Sequence, residues 1–411
     1  MEVVRIECAI KNYHWGKFGC DSKVAQFAKS NVQEFTVEEG KPYAELWMGT
    51  LPTGPSVIKS SGMLLSDYIS KNPACLGSTI LNQFQEQLPF LFKVLSVNKS
   101  LSIQAHPNKK HAEELNRKCP EKYGDPNHKP EMALALTDFE GMCGFRPFSQ
   151  FQAFVRGVEE LSAVIGEDAV KKVNDTQLAD LEGVKSAIKQ SFTCLMRCES
   201  SRIEEQITKL VGRLADVSTD IPCIDDSLRE LILRLNEQFP GDVGIFSAFF
   251  LNHMKLKPGE AMFLAANLPH AYLSGDCIEC MAKSDNVVRA GLTPKFKDVD
   301  TLVEMLDYTP KAMEENIMSY TQGEDDSNVK VFQPPVPDFA VHSIQIPAHQ
   351  LYNLTTENSA SIVIVTAGEG QIPSLGEINA GHTMFIPARE GVSIQTSSDM
   401  TLYRALCLPQ I

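Results

Sequence analysis

The amino-acid sequence predicts a mainly β protein with an α-helical insertion, and three observations carry that prediction. From residue 1 to about 148, short apolar stretches are broken by Gly, Pro and Asn, as in PYAELWMGTLPTGPS and LPFLFKVLSVNKSLSIQAHP, the texture of many short strands. From about 149 to 240 the apolar residues switch to helical spacing. After Gly241 strand texture returns and runs to the C-terminus, where a sequence echo points to two related β units.

In the helical stretch, Ile203, Ile207, Leu210, Val211 and Leu214 fall on one face of a helix, and Leu228, Leu231, Ile232 and Leu235 do the same further on. Asp226 or Ser227 is the expected N-cap of that second helix, and Phe239-Pro240-Gly241 ends it. The echo joins Gly259-Glu-Ala-Met-Phe-Leu-Ala-Ala266 to Gly381-His-Thr-Met-Phe-Ile-Pro-Ala388 at a constant offset of 122 residues. Each Gly opens a turn before an apolar strand, and the repeat predicts two all-β units of the jelly-roll kind. At this offset His270 corresponds to Val392, so only the first unit has a ligand-capable side chain there. The expected organisation is a discontinuous β unit over 1–148 and 241–320 with the ligand-capable position, a helical insertion over 149–240 and a C-terminal β unit over 321–411.

The chain has 411 residues, enough for two or three domains with cores of their own. At 43% hydrophobic and 22% charged it is globular in composition rather than fibrous or disordered. A net charge of −14 disfavours partners held by phosphate-backbone electrostatics, so no nucleic acid is expected. No apolar run approaches the roughly 20 residues of a membrane span, so no membrane partner is expected. The eleven scattered cysteines and an N-terminal stretch without a secretory apolar core read as reduced thiols in a cytoplasmic protein. Cys277-Ile-Glu-Cys280 has no second pair at zinc-knuckle spacing.

Chemistry concentrates in Leu101-Ser102-Ile103-Gln104-Ala105-His106-Pro107. At strand period, Ser102, Gln104 and His106 share one face of an otherwise apolar segment. Glu131 follows Asn127-His128-Lys129-Pro130, and His270 follows the apolar strand of the first repeat unit. Two imidazoles, a carboxylate and an amide oxygen make a mixed N/O site for a divalent metal with room for substrate. Read singly, each is also compatible with an ordinary polar group of a core or loop.

Gln104-Ala105-His106-Pro107, His128-Lys129-Pro130-Glu131 and Asn286-Val-Val-Arg289-Ala-Gly-Leu-Thr-Pro-Lys295 resemble type I phosphomannose isomerases of the cupin superfamily. Asn12-Tyr13-His14-Trp15-Gly16 and Tyr43-Ala44-Glu45-Leu46-Trp47-Met48-Gly49 fit the same resemblance. It implies two cupin barrels with a helical insertion, the first unit being the catalytic cupin domain and the last a non-catalytic barrel, and reversible interconversion of mannose 6-phosphate and fructose 6-phosphate. It also implies one Zn2+ per chain, held by Gln104, His106, Glu131 and His270. Arg289 matches an active-site arginine, Lys129, Lys295 and Ser102 match groups lining the sugar-phosphate pocket, and Glu279 and Asp285 match pocket carboxylates. Trp15 is expected to wall the sugar pocket, and the resemblance implies a monomer.

Moving a proton between C1 and C2 through a cis-enediolate requires charge stabilisation and an acid/base group. Glu279, His128 and Asp285 are the candidates, and Lys129 is a candidate for assisting ring opening. Lys129, Arg289, Lys295 and the metal reverse the global negative charge locally, so a sugar phosphate is an acceptable partner. Two other readings use the same residues. Two His and a carboxylate suit an iron oxygenase, and two β barrels suit a non-enzymatic sugar-binding protein. Gln104 and the Lys/Arg cluster favour a redox-inactive metal and an anionic sugar.

Overall fold

The computed structural model describes residues 2–216, 218–324 and 326–409. The chain opens with β1 (Val4–Glu7), and the principal strands that follow are β2 (Glu45–Met48), β3 (Phe90–Val97), β4 (Ile103–Ala105), β5 (Glu131–Ala135) and β6 (Phe139–Phe145). Six helices come next: α1 (Phe148–Gly157), α2 (Glu159–Ile165), α3 (Glu167–Asp175), α4 (Leu181–Arg197), α5 (Ser200–Ala215) and α6 (Asp226–Gln238). Strands resume with β7 (Leu251–Leu256), β8 (Ala261–Leu264), β9 (His270–Ala282) and β10 (Val288–Gly291). The C-terminal unit is built on β11 (Ala340–Ile346), β12 (Ser361–Ala367), β13 (Thr383–Ile386), β14 (Val392–Thr396) and β15 (Met400–Leu406).

The long strand β9 organises the first sheet. Its N-terminal part pairs with β6 and β4, and its remainder with β3 and β5, all antiparallel. Gly275, at φ +107, marks the change of partners, and a Cβ there would meet the Asp138 carbonyl oxygen at 2.5 Å. Leu95, Ala133, Ala135, Met262, Leu264 and Cys277 form an inner cluster. The opposite faces of these strands supply Val94, Met132, Leu134 and Ile278 to a second cluster, which also takes Ile362, Ile364, Phe385 and Ala405 from the C-terminal sheet. Both faces of β3 are therefore buried, which explains why it reads FLFKVLSV without apolar–polar alternation.

The helical region packs its periodic residues, Ile203, Ile207, Leu210 and Leu214 among them, in one cluster with Ile103, Ala105, Val288 and Ala290. The backs of β4 and β10 thus rest on the helices. The N-cap of α6 is Asp225, one residue before the expected position, with its carboxylate accepting from Leu228 N–H at 2.8 Å.

The offset of 122 residues relates observed elements. Strand β8 (Ala261–Leu264) maps onto β13 (Thr383–Ile386), the first residue of β9 maps onto that of β14, and Gly259 and Gly381 both have positive φ. One pairing was not anticipated. Strand β1 pairs with β13, Val4 opposite Phe385, so the start of the chain lies in the C-terminal sheet rather than the first one.

Candidate metal centre

Three adjacent strands set the site. Gln104 in β4 is the cross-strand partner of His270 at the start of β9 and of Arg289 in β10. Directly opposed residues share a sheet face, so amide, imidazole and guanidinium project together. His106 lies one residue beyond β4, and Glu131 begins β5. His106, Glu131 and His270 are buried at 0, 2 and 1% exposure, with ligand atoms all within 4.8 Å of one another.

The hydrogen bonds fix the tautomers. His106 Nδ1 lies 2.6 Å from the Asn286 carbonyl oxygen and His270 Nδ1 lies 2.9 Å from that of Leu268. A carbonyl accepts only, so each ring donates Nδ1–H and presents the Nε2 lone pair inward. The Nε2 atoms of His106 and His270 sit 3.4 Å from the two Glu131 oxygens, and neither has a hydrogen-bond partner. Facing lone pairs without a proton between them form a group that can hold a cation, and two imidazoles with a carboxylate are a donor set suited to zinc. Burial pushes His106 down to about 4, which keeps it neutral. Burial alone would raise Glu131, but the Lys129 ammonium and the two neighbouring imidazoles outweigh it and hold the carboxyl well below its usual range. The Lys129 ammonium is 3.2 Å from Glu131 Oε1.

A second buried cluster adjoins the first. Trp47, Lys93 and Glu279 are successive cross-strand partners on β2, β3 and β9. Lys93 Nζ is 2.8 Å from Glu279 Oε2 and 3.5 Å from Glu45 Oε2, and lies 5.2 Å from the Trp47 ring centroid. Tyr272 O–H donates to Glu279 Oε1 at 2.9 Å, and Trp47 Nε1–H donates to Glu45. One lysine thus serves two carboxylates, with Glu131 nearby. That imbalance, after burial itself, raises Glu279, while Glu279 and Glu45 overcome burial to raise Lys93. A carboxyl titrating above its ordinary range beside a metal site is equipped to move a proton.

Sequence reasoning did not single out Lys93, Glu45, Tyr272 or Asn286. A lysine inside the apolar run FLFKVLSV was the available signal for Lys93.

The remaining residues divide. Arg289 is half-buried, burial lowers its pKa, and among the described residues it has no ionic partner. Ser102 precedes β4 and is half-buried. Trp15 packs against the inner cluster and stacks on Tyr13, with centroids 5.8 Å apart. Lys295 is exposed beyond β10, its N–H donating to Thr293 Oγ1. Two acid/base candidates take partners outside the triad. Asp285 is an exposed loop residue whose N–H donates to Asp125, and the His128 ring contacts Asp338 at 3.0 Å. Asp285 was expected from its match to a pocket carboxylate and His128 from the motif it shares with Lys129 and Glu131.

Family profiles for type I phosphomannose isomerase match twice, the catalytic domain over residues 3–148 and the helical insertion domain over 164–251. The mannose-6-phosphate isomerase of Mus musculus is 46% identical over 417 residues, covering 99% of both chains. The chain belongs to the type I phosphomannose isomerase family. The Homo sapiens mannose-6-phosphate isomerase is 44% identical, again over 99% of each chain. A solved structure of a family member, mannose 6-phosphate isomerase bound with zinc and yttrium, superposes with a TM-score of 0.83 at 31% identity, covering 100% of both chains. In this chain the buried acceptor cluster draws on β5, β9 and the residue just beyond β4.

Proposed function

We propose that the protein is a zinc-dependent mannose-6-phosphate isomerase, interconverting mannose 6-phosphate and fructose 6-phosphate and feeding mannose into GDP-mannose and glycosylation pathways. The observation that carries the reading is the convergence of the His106, Glu131 and His270 lone pairs on one buried point without a proton between them. Gln104, opposite His270, supplies the fourth, neutral ligand. When bound, one zinc per chain supplies a Lewis acid for charge developing on the sugar oxygens.

The protein's own groups do the rest. Glu279 holds the proton exchanged between C1 and C2 of the cis-enediolate, because its raised pKa leaves the carboxyl able to accept and return it. Lys93 orients it from one oxygen and Tyr272 from the other. Lys129, beside Glu131, assists ring opening. Arg289, next to Gln104 and without an ionic partner among the described residues, meets the substrate's negative charge through charge-assisted hydrogen bonds, with Ser102 and Lys295 around the phosphate. Trp15 walls the sugar pocket. The protein works as a monomer in the cytoplasm on this small substrate, with no nucleic acid or membrane partner.

We assign 1–148 and 241–320 to a metal-bearing cupin barrel, 149–240 to the insertion and 321–411 to a metal-free barrel. Strand β1 is the exception, lent to the C-terminal sheet. The absence of a ligand set at Val392 supports the division of labour.

Chelator-stripped protein should lose conversion of mannose 6-phosphate and regain it with zinc. Full turnover in a verified zinc-free sample would sink the reading, as would iron with oxygenase activity at the triad.

A further inference from the structure

His128 and Asp338 join parts of the chain 210 residues apart. The imidazole Nε2 lies 3.0 and 3.2 Å from the two Asp338 oxygens, and the carboxylate is buried. Asp338 is anchored from the C-terminal unit, its main-chain oxygen accepting from Cys407 Sγ at 3.0 Å just before β11 begins. The imidazole lines a cavity of about 480 Å³ with Gln83, Leu88, Lys283 and Pro337 that contains none of the triad residues.

The segment carrying His128 supports the metal centre in three ways. It contributes Glu131 itself, and it contributes Lys129, which pairs with Glu131. The main-chain oxygens of Asp125 and Asn127 each accept from the Asn286 amide at 2.7 Å, and the Asn286 carbonyl in turn orients His106. Loosening residues 125–131 would therefore disturb the carboxylate, its cation and one imidazole together. Partners at one remove from a metal typically change its affinity by about 10–100-fold.

We infer that Asp338 is a positioning residue for the metal centre, acting through His128: the C-terminal unit clamps the Asp125–Glu131 segment, and His128 is the clamp's other half rather than the proton carrier. The inference rests on the zinc reading above. It gives the unit without metal ligands a task in the other unit's chemistry.

The test is zinc affinity, measured on the full-length protein by competition with a chromogenic chelator at a temperature where every variant is folded. Asp338→Ala and His128→Ala should each weaken zinc about tenfold, at the low end of the range for groups near a metal. The double variant should be no weaker than either single one, because both remove the same contact. Asp338→Asn keeps an acceptor for the imidazole N–H and should restore most of the affinity, which general destabilisation would not predict. Should Asp338→Ala fail to fold, His128→Gln against His128→Leu makes the same comparison, the glutamine retaining a donor.

Wild-type affinity in Asp338→Ala, or single effects that add, would overturn the inference. So would His128→Ala losing turnover with zinc affinity intact, which would make His128 a proton carrier. A wild type that takes up no zinc would overturn the metal reading and this inference together, whereas the outcomes just named overturn this inference alone.

Discussion

Lys93 is nearly buried and faces Glu279 and Glu45 at once. Removing one partner of a buried ionic cluster leaves charge without compensation, which typically costs about 3–5 kcal/mol. Lys93→Met should lower the unfolding free energy by roughly that amount, and adding Glu279→Gln should recover part of it. Denaturant titration checks this, and a single variant as stable as wild type would contradict the imbalance argument. The nearness of Gln104 and His106 to one site was legible because strand period puts them on one side. Lys93 was harder to assign, since its meaning comes from register with Trp47 and Glu279, which sequence spacing does not encode. His128 illustrates the same point: its contact with Asp338, 210 residues away, is not written in the motif that carries it.

At the level of elements, Glu140 on β6 joins the insertion to the sheet. Arg234 of α6 reaches it at 2.6 Å, His253 of β7 at 3.3 Å, and Ser274 O–H of β9 donates to it at 2.9 Å. The His253 contact, then Arg234 and Ser274, hold Glu140 at about 2 despite the opposing effect of burial. The sign follows from linkage: a depressed carboxyl contributes stability above its unfolded pKa of about 4.5, and that contribution is lost as pH falls through about 2. Glu140→Gln should therefore lower the melting temperature most above pH 5, with the difference from wild type shrinking toward pH 2. A pH-independent difference would indicate lost packing instead. The helical insertion was legible from its 3.6-residue spacing, and the repeat located β8 and β13. The route of β1 was not, because a four-residue strand carries no mark of which edge it will join.

Across the whole molecule, the two sheets share a core. Phe385 is fully buried, packs edge-on to Tyr68 and sits in one cluster with Phe92, Ile278 and Met132 of the first sheet. Phe385→Ala should cost about 3–5 kcal/mol. Because the shared core couples the units, calorimetry should record one unfolding transition moving to lower temperature, and two separated transitions would contradict the coupling. At this scale the switch from strand texture to helix and back to strand was legible along the chain. The shared apolar face was not, since strands buried on two sides look alike whichever neighbour covers them.

The pairing of Val4 with Phe385 has a consequence for synthesis. A ribosome makes β1 long before β13, so β1 must wait without this partner while the intervening chain emerges. That is a contact of the highest sequence separation, whose closure is slow and follows local structure. The finished sheet thus depends on both strands: a product truncated before residue 383 lacks the strand that receives β1, and leaves an unpaired edge of the kind that recruits other chains.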